Sequence, residues 1–226
     1  MPSTPRPARL EARARPLGVA VAAVAAVAAL GGCSGSSAPA ADAGARSTGR
    51  PSASPTPQAT VPSGWTTRTL DGLQVAFPPE FQVRTDAQGV SLQVGVPFTG
   101  QPFPPPQLQV FVEKDPVGTL AVREPLTRAQ IDQQLGGVDI PPSTRTRVAG
   151  ATDAVQFTYT YRTQAATSVL DTPLEATDMR QSDLLIEVPG LPKYGLRYSA
   201  PADQYDASLW RQVIAALAVE SSRRAR

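Results

Sequence analysis

From Ala154 to Tyr161 the chain alternates by type. Val155, Phe157, Tyr159 and Tyr161 share one parity, and Gln156, Thr158 and Thr160 share the other. Period two over such a run means a β-strand with one face buried, and a strand of this kind needs both partners and a cover. The same texture begins at Trp65. Trp65–Leu70 and Leu73–Phe77 flank Asp71-Gly72, a two-residue hairpin signal. Pro78-Pro79 ends the second strand, and strand patterns follow at Phe81–Arg84, Val90–Val96, Gln107–Glu113 and Thr144–Val148. A further pair, Leu184–Val188 and Tyr194–Ser199, folds around Pro189-Gly190, so the sheet is predicted to be mostly antiparallel.

Two helices interrupt this pattern. Thr127 reads as an N-cap ahead of Arg128–Leu135, with Gly136-Gly137 as the stop. Near the end, Asp203 reads as a cap and Asp206 as a first-turn acid for a helix whose apolar face carries Leu209, Trp210, Val213, Ile214 and Leu217. Residues 64–220 therefore read as one α+β domain, a mostly antiparallel sheet flanked by helices. One cysteine, Cys33, lies outside it, so the domain can hold no internal disulfide and must be stabilised by packing.

The N-terminal region has a different grammar. Arg6, Arg9, Arg13 and Arg15 precede an apolar run, Leu17–Leu30, of 14 residues. At about 1.5 Å per residue a helix of that length spans roughly 21 Å, short of a hydrocarbon core of roughly 30 Å. The layout is that of a secretory signal rather than a membrane span. Leu30-Gly31-Gly32-Cys33 resembles the lipobox of bacterial lipoproteins, with Gly31 a less usual choice in it. The resemblance implies cleavage after residue 32, acylation of Cys33, and anchorage at the extracytoplasmic face of the cell membrane. Ordinary secretory cleavage, with Cys33 incidental, is the competing reading. Residues 33–63, rich in Ser, Pro and Ala with almost no large apolar side chain, read as a disordered tether. Residues 221–226 read as a basic tail.

Charge and composition exclude more than they assign. Residues 64–220 carry 12 Lys and Arg against 17 Asp and Glu, so the domain is acidic although the whole chain is formally +2. Nucleic-acid binding, which needs a basic surface, is disfavoured. There is no histidine. That removes the usual general base, the Ser-His-Asp triad and the commonest metal ligand, and no nucleotide-binding or nucleophile-elbow motif is present. The pairs Glu113/Asp115, Asp183/Glu187 and Asp203/Asp206 could in principle make a glycosidase pair or a calcium site. The first two are expected at strand edges or turns and the third at a helix cap. No catalytic residue, metal or cofactor is assigned, and the chain reads as a non-enzyme.

Gly72-Leu73-Gln74-Val75-Ala76-Phe77-Pro78-Pro79-Glu80-Phe81 and Tyr194-Gly195-Leu196-Arg197-Tyr198-Ser199-Ala200-Pro201, with the helix that follows to Val219, resemble the Mog1/PsbP-like fold, in particular the LpqN-type lipoproteins of actinobacteria. Phe81 stands where tryptophan is more usual, and Ala216 where serine often is. The resemblance implies an α/β/α sandwich and a binding or assembly role, and it carries no catalytic residue across.

One loop stands out as a candidate partner-binding segment: Pro97–Pro106, in which Phe98 and Phe103 offer apolar anchors while Pro104, Pro105 and Pro106 hold the chain extended. The alternative is that both phenylalanines fold back to cap the core. Tyr159, Tyr161, Tyr194 and Tyr198 likewise read either as pocket or as core. The functional expectation is a lipid-anchored module that binds another envelope protein. The alternative is a carrier or sensor holding a lipid or small apolar ligand in a sheet-helix cleft.

Overall fold

The computed structural model describes residues 58–84, 89–114, 118–167, 173–190 and 193–220. The signal segment, Cys33, the tether before Gln58, Asp115 and the tail 221–226 lie outside the described residues. Asp71 and Gly72 take φ of +46° and +90°, left-handed at both positions as a type I′ turn requires, and join β1 (Thr66–Leu70) to β2 (Leu73–Phe77). Then come β3 (Gln82–Arg84), β4 (Leu92–Gly95), β5 (Gln107–Glu113), α1 (Leu120–Leu135), β6 (Thr144–Arg145) and β7 (Asp153–Arg162). A small hairpin of β8 (Ala166–Thr167) and β9 (Pro173–Leu174) leads to β10 (Asp178–Glu187), β11 (Lys193–Pro201), α2 (Ala207–Ala215) and β12 (Ala218–Val219).

The main sheet has seven antiparallel strands in the order β3-β4-β5-β11-β10-β7-β6. The opening hairpin does not join it. Instead β1 and β2 pair with β12 in a separate three-stranded sheet, because the chain returns from α2 to lay Ala218 and Val219 beside Gln74 and Leu73. The architecture is α+β and mostly antiparallel, with one helix on each side of the main sheet. The layer beside α2 is shared with the small sheet.

Strand parity divides the main sheet into two faces. Leu184 and Ile186 of β10, Leu196 and Tyr198 of β11, and Leu108 and Val110 of β5 point to the inner face. There they meet Leu73, Val75 and Phe77 of β2 and Trp210, Val213 and Ile214 of α2, all buried. Each such side chain contributes on the order of 1.5–3 kcal/mol before entropy. Trp210 lies against Tyr198, ring centroids 6.2 Å apart, and donates its indole N–H to Gln156 Oε1 at 3.0 Å. The outer face carries a smaller cluster, in which Leu120 and Ile131 of α1 and Ile140 pack on Val155, Phe157 and Leu185.

Both helices begin elsewhere than the sequence predicts. Asp206, not Asp203, caps α2, accepting the Ser208 and Leu209 N–H groups at 2.7 and 3.0 Å. α1 starts at Leu120, ahead of Thr127, and runs through Pro125, while its N-cap Thr119 makes no side-chain bond. A carboxylate from β10 takes over that job. Glu187 Oε2 accepts the Leu120 N–H at 2.6 Å, and Glu187 Oε1 meets Lys193 Nζ at 3.3 Å. Lys193 also donates to the Gly118 carbonyl, and Arg123 bonds Glu113 Oε1 at 2.9 Å. The local signal at Thr127 loses to a cap supplied 67 residues away in sequence.

Gly150 closes the join between the layers. Its φ is +77°, and a Cβ there would stand 2.1 Å from the Val219 carbonyl oxygen. Gly150→Ala should therefore displace β12 and lower stability by on the order of 3 kcal/mol, a fall in Tm of roughly 6–12 °C by calorimetry. A Tm within about 2 °C of the parent would refute this contact. The Glu187 clamp makes a pH prediction. Burial pushes its carboxyl up, but the Leu120 N–H, Lys193 and Arg123 together outweigh burial and hold it below the ordinary 4.5. A depressed folded value adds stability that is full above the unfolded value and is lost as pH falls through the folded one. Glu187→Gln should thus destabilise by on the order of 1–3 kcal/mol at pH 7, with the gap to the parent narrowing below about pH 4 in denaturant titrations.

Candidate functional site

The first half of β10, Asp178–Asp183, is polar in sequence yet central in the sheet, paired with β7 on one side and β11 on the other. Its odd residues face outward, and two of them, Gln181 and Asp183, are each only 5% exposed. Polar groups this deep need partners. Asp183 has three: Oδ1 accepts Arg197 Nε at 2.9 Å, and Oδ2 accepts the Tyr159 hydroxyl at 2.9 Å and Gln181 Nε2 at 3.0 Å. Gln181 also donates to the Tyr159 oxygen. Burial, reinforced by the Asp183 charge, pushes the Tyr159 hydroxyl far above its ordinary range, so it stays a neutral donor. For Arg197, burial works to lower the value, and Asp183 together with Tyr159 and Tyr161 more than reverses it.

The exposed end of this network is the guanidinium. The Arg197 side chain is 27% exposed where that of Asp183 is 6%. Its guanidinium carbon lies 5.7 Å from the centre of the Phe111 ring. Among the described residues its only hydrogen bond is the one through Nε. Register places Arg84, Gln93, Gln109, Arg197 and Asp183 in one row across β3, β4, β5, β11 and β10. The neighbouring row runs Gln82, Gly95, Gln107, Ser199 and Gln181. Gln93 and Gln107 bond each other at 2.7 Å, and Gln93, Gln107, Gln109 and Phe111 are all half-buried. α1 packs on β7 and β10, and its first turn reaches β5 through Arg123, so among the described residues this side of the sheet is polar and has no helical roof.

The proline loop bounds the same face. The Pro102 carbonyl accepts the Glu175 N–H at 2.7 Å, just before β10. Since β11 lies between β5 and β10, the loop crosses the end of β11 to reach it. Phe98, Phe103, Pro104 and Pro106 are half-buried and Pro105 is buried. Neither phenylalanine joins either core cluster, so the segment is neither a free arm nor a core cap. The four tyrosines do not share a pocket: Tyr194 and Tyr198 lie in the inner core, Tyr159 and Tyr161 on the outer face.

Members of the candidate carboxylate pairs are taken up by the fold, and Asp115 lies outside the described residues. Asp183 is buried mid-sheet rather than at an edge, and Glu187, four residues on and about 13 Å away along the strand, is committed to α1. Glu113 is held by Arg123 and Asp206 by the α2 N-terminus. Among the described residues no three His, Cys, Asp or Glu side chains are placed to hold a metal ion. Between the main sheet and α2 the volume is filled by side chains such as Leu184, Ile186 and Tyr194 at 0% exposure. One open depression of roughly 330 Å³ lies beside α1, lined by Arg128, Ala129, Asp132, Val138 and Ile140. The sequence reading passed over Arg197 and Gln109. The signal that could have found them is the recurrence of glutamine on the outward parity of β3, β4 and β5.

No protein-family model matches the chain, and no curated protein matches it. Among solved structures, LpqN, described as involved in cell envelope biogenesis of Mycobacterium tuberculosis, is similar with a TM-score of 0.46 at 10% identity, over 66% of this chain and 83% of that one. A protein of Bacteroides thetaiotaomicron gives 0.43 at 12% identity, over 67% of this chain and 46% of its own. A Pseudomonas aeruginosa protein of unknown function gives 0.41 at 12%, over 66% and 93%. At these values the fold rests on the strand pairing of this chain itself.

Proposed function

We propose that the protein is acylated at Cys33 and acts as a non-catalytic binding or assembly module at the extracytoplasmic face of the cell membrane, with another envelope protein as its partner. Leu30-Gly31-Gly32-Cys33 supports the anchor, and the tether that follows gives the domain reach. The observation that carries the binding role is the unroofed outer face of β3, β4, β5 and β11. Its row of half-buried polar side chains, bounded by the α1 N-terminus and the proline loop, is a surface of the kind a partner covers. The carboxylates favour binding over catalysis, since Asp183, Glu187, Glu113 and Asp206 are each engaged in holding the fold.

Two measurements test this reading. Cys33→Ala should abolish palmitate labelling and leave unprocessed precursor, and labelling that survives would remove the anchor. In the native envelope, a photo-crosslinking residue at Gln109 of the acylated chain should give one protein adduct, and the same residue at the exposed Arg211 of α2 should give none. Equal adducts from both positions, or none from Gln109, would remove the binding face.

A further inference from the structure

Arg197 is held in place before any ligand arrives. Nε–H is committed to Asp183, a carboxylate itself fixed by Tyr159 and Gln181, and the cation sits beside the Phe111 ring. A guanidinium bound through Nε keeps its Nη edge, and with it a planar pair of N–H donors, for a second oxyanion. The side chain is partly exposed, and no Nη bond is made among the described residues. The surroundings fit an anion. Gln109 is the cross-strand partner of Arg197, Gln93 lies beyond it, and both are neutral amides. Of the carboxylates that β10 and β5 place on this face, Asp183 holds Arg197 through Nε, Glu113 is bound to Arg123 and Glu187 to the α1 N-terminus.

The anion's class follows from the donor geometry. The Nη edge is one planar fork whose charge is already shared with Asp183, so it fits no more than a single negative charge spread over two coplanar oxygens, which describes a carboxylate. A phosphate carries up to two charges and three oxygens, and would leave much of both uncompensated. The amides of Gln109 and Gln93 can donate to and accept from a peptide backbone, and Phe111 gives an apolar edge beside them. We infer that the Nη edge of Arg197, with Gln109 beside it, is a receptor for a carboxylate presented by a peptide segment of the partner protein, either an acidic side chain or a chain terminus. This names the chemistry of the face described under the proposed function and rests on that reading.

The test uses the full acylated chain in phosphatidylcholine nanodiscs, with acetyl-glycyl-glycine as the probe and its carboxamide as the control. The ¹⁵N resonance of Arg197 Nε should shift and saturate at millimolar probe, and the carboxamide should shift it at least tenfold less. Arg197→Gln would strand Asp183 in the sheet and could unfold the domain, so the discriminating variant is Gln109→Glu. It leaves the Arg197–Asp183 pair intact and sets a carboxylate opposite the Nη edge, and it should abolish the response to the probe. An equal response to the carboxamide, a silent Arg197 resonance, or full binding by Gln109→Glu would overturn the receptor. A tighter response to inorganic phosphate than to the dipeptide would overturn the peptide assignment in favour of a phosphorylated ligand. Loss of the Gln109 crosslink with the titration intact would remove the protein partner and leave the receptor standing.

Discussion

β10 is hydrogen-bonded along its length to β7 and along most of it to β11, so each of its side chains must go to one face or the other. That constraint organises the molecule. Leu184 and Ile186, sent inward, meet the small sheet and α2, while Leu185, sent outward, meets the cluster under α1. Gln181 and Asp183 are sent outward too, into a layer where water does not satisfy them. Tyr159 and Arg197, on the strands either side, do so instead. The two cores and the polar network are consequences of one strand's parity.

The Asp183–Arg197 pair is a poor source of stability for its position. Desolvating two charges offsets most of their attraction, and apolar residues of similar volume often serve as well. What the pair supplies is placement: it fixes a cation on the outer face with no Nη bond among the described residues. Thr158, Ser182 and Tyr205 form the comparable polar chain on the inner face, at 2.5 Å per link, and there every hydroxyl closes on a neighbour. The inner chain is structural in full. The outer one ends in an open cation, and this asymmetry is the basis for reading the outer face as the working surface.

Much of the fold is legible in the sequence because it is local. The Asp71-Gly72 turn, the alternation in β7 and the apolar face of α2 each depend on residues within one element. The first half of β10 was not legible. The strand pattern is read only from Leu184 and Asp183 is expected at an edge or turn, because the burial of Gln181 and Asp183 depends on Tyr159 and Arg197, 14 to 24 residues away, which only the folded sheet brings near. The start of α1 was hidden for the same reason, its cap being Glu187. The candidate site inherits the difficulty. Phe98, Phe103 and the prolines announce themselves by composition, whereas Arg197 gains its meaning from Asp183, Phe111 and Gln109, on its own and the neighbouring strands.

The two helices also differ in what holds them. α2 is pinned by Trp210, Val213 and Ile214 in the main core and by its own aspartate cap. α1 buries only Leu120, Arg123 and Ile131 and leaves Val122 and Leu126 exposed, so its position depends on the polar clamp of Glu187, Lys193, Glu113 and Arg123 at its first turn. That clamp lies at the end of the row of strands that carries Arg197 and Phe111. Helix placement and the position of the outer-face cation are therefore set by neighbouring groups on the same three strands, β5, β11 and β10. A partner docking on the outer face would meet a surface whose edges are fixed by ion pairs and whose floor is amide and guanidinium, which favours a polar, charge-selective contact over burial of a greasy one.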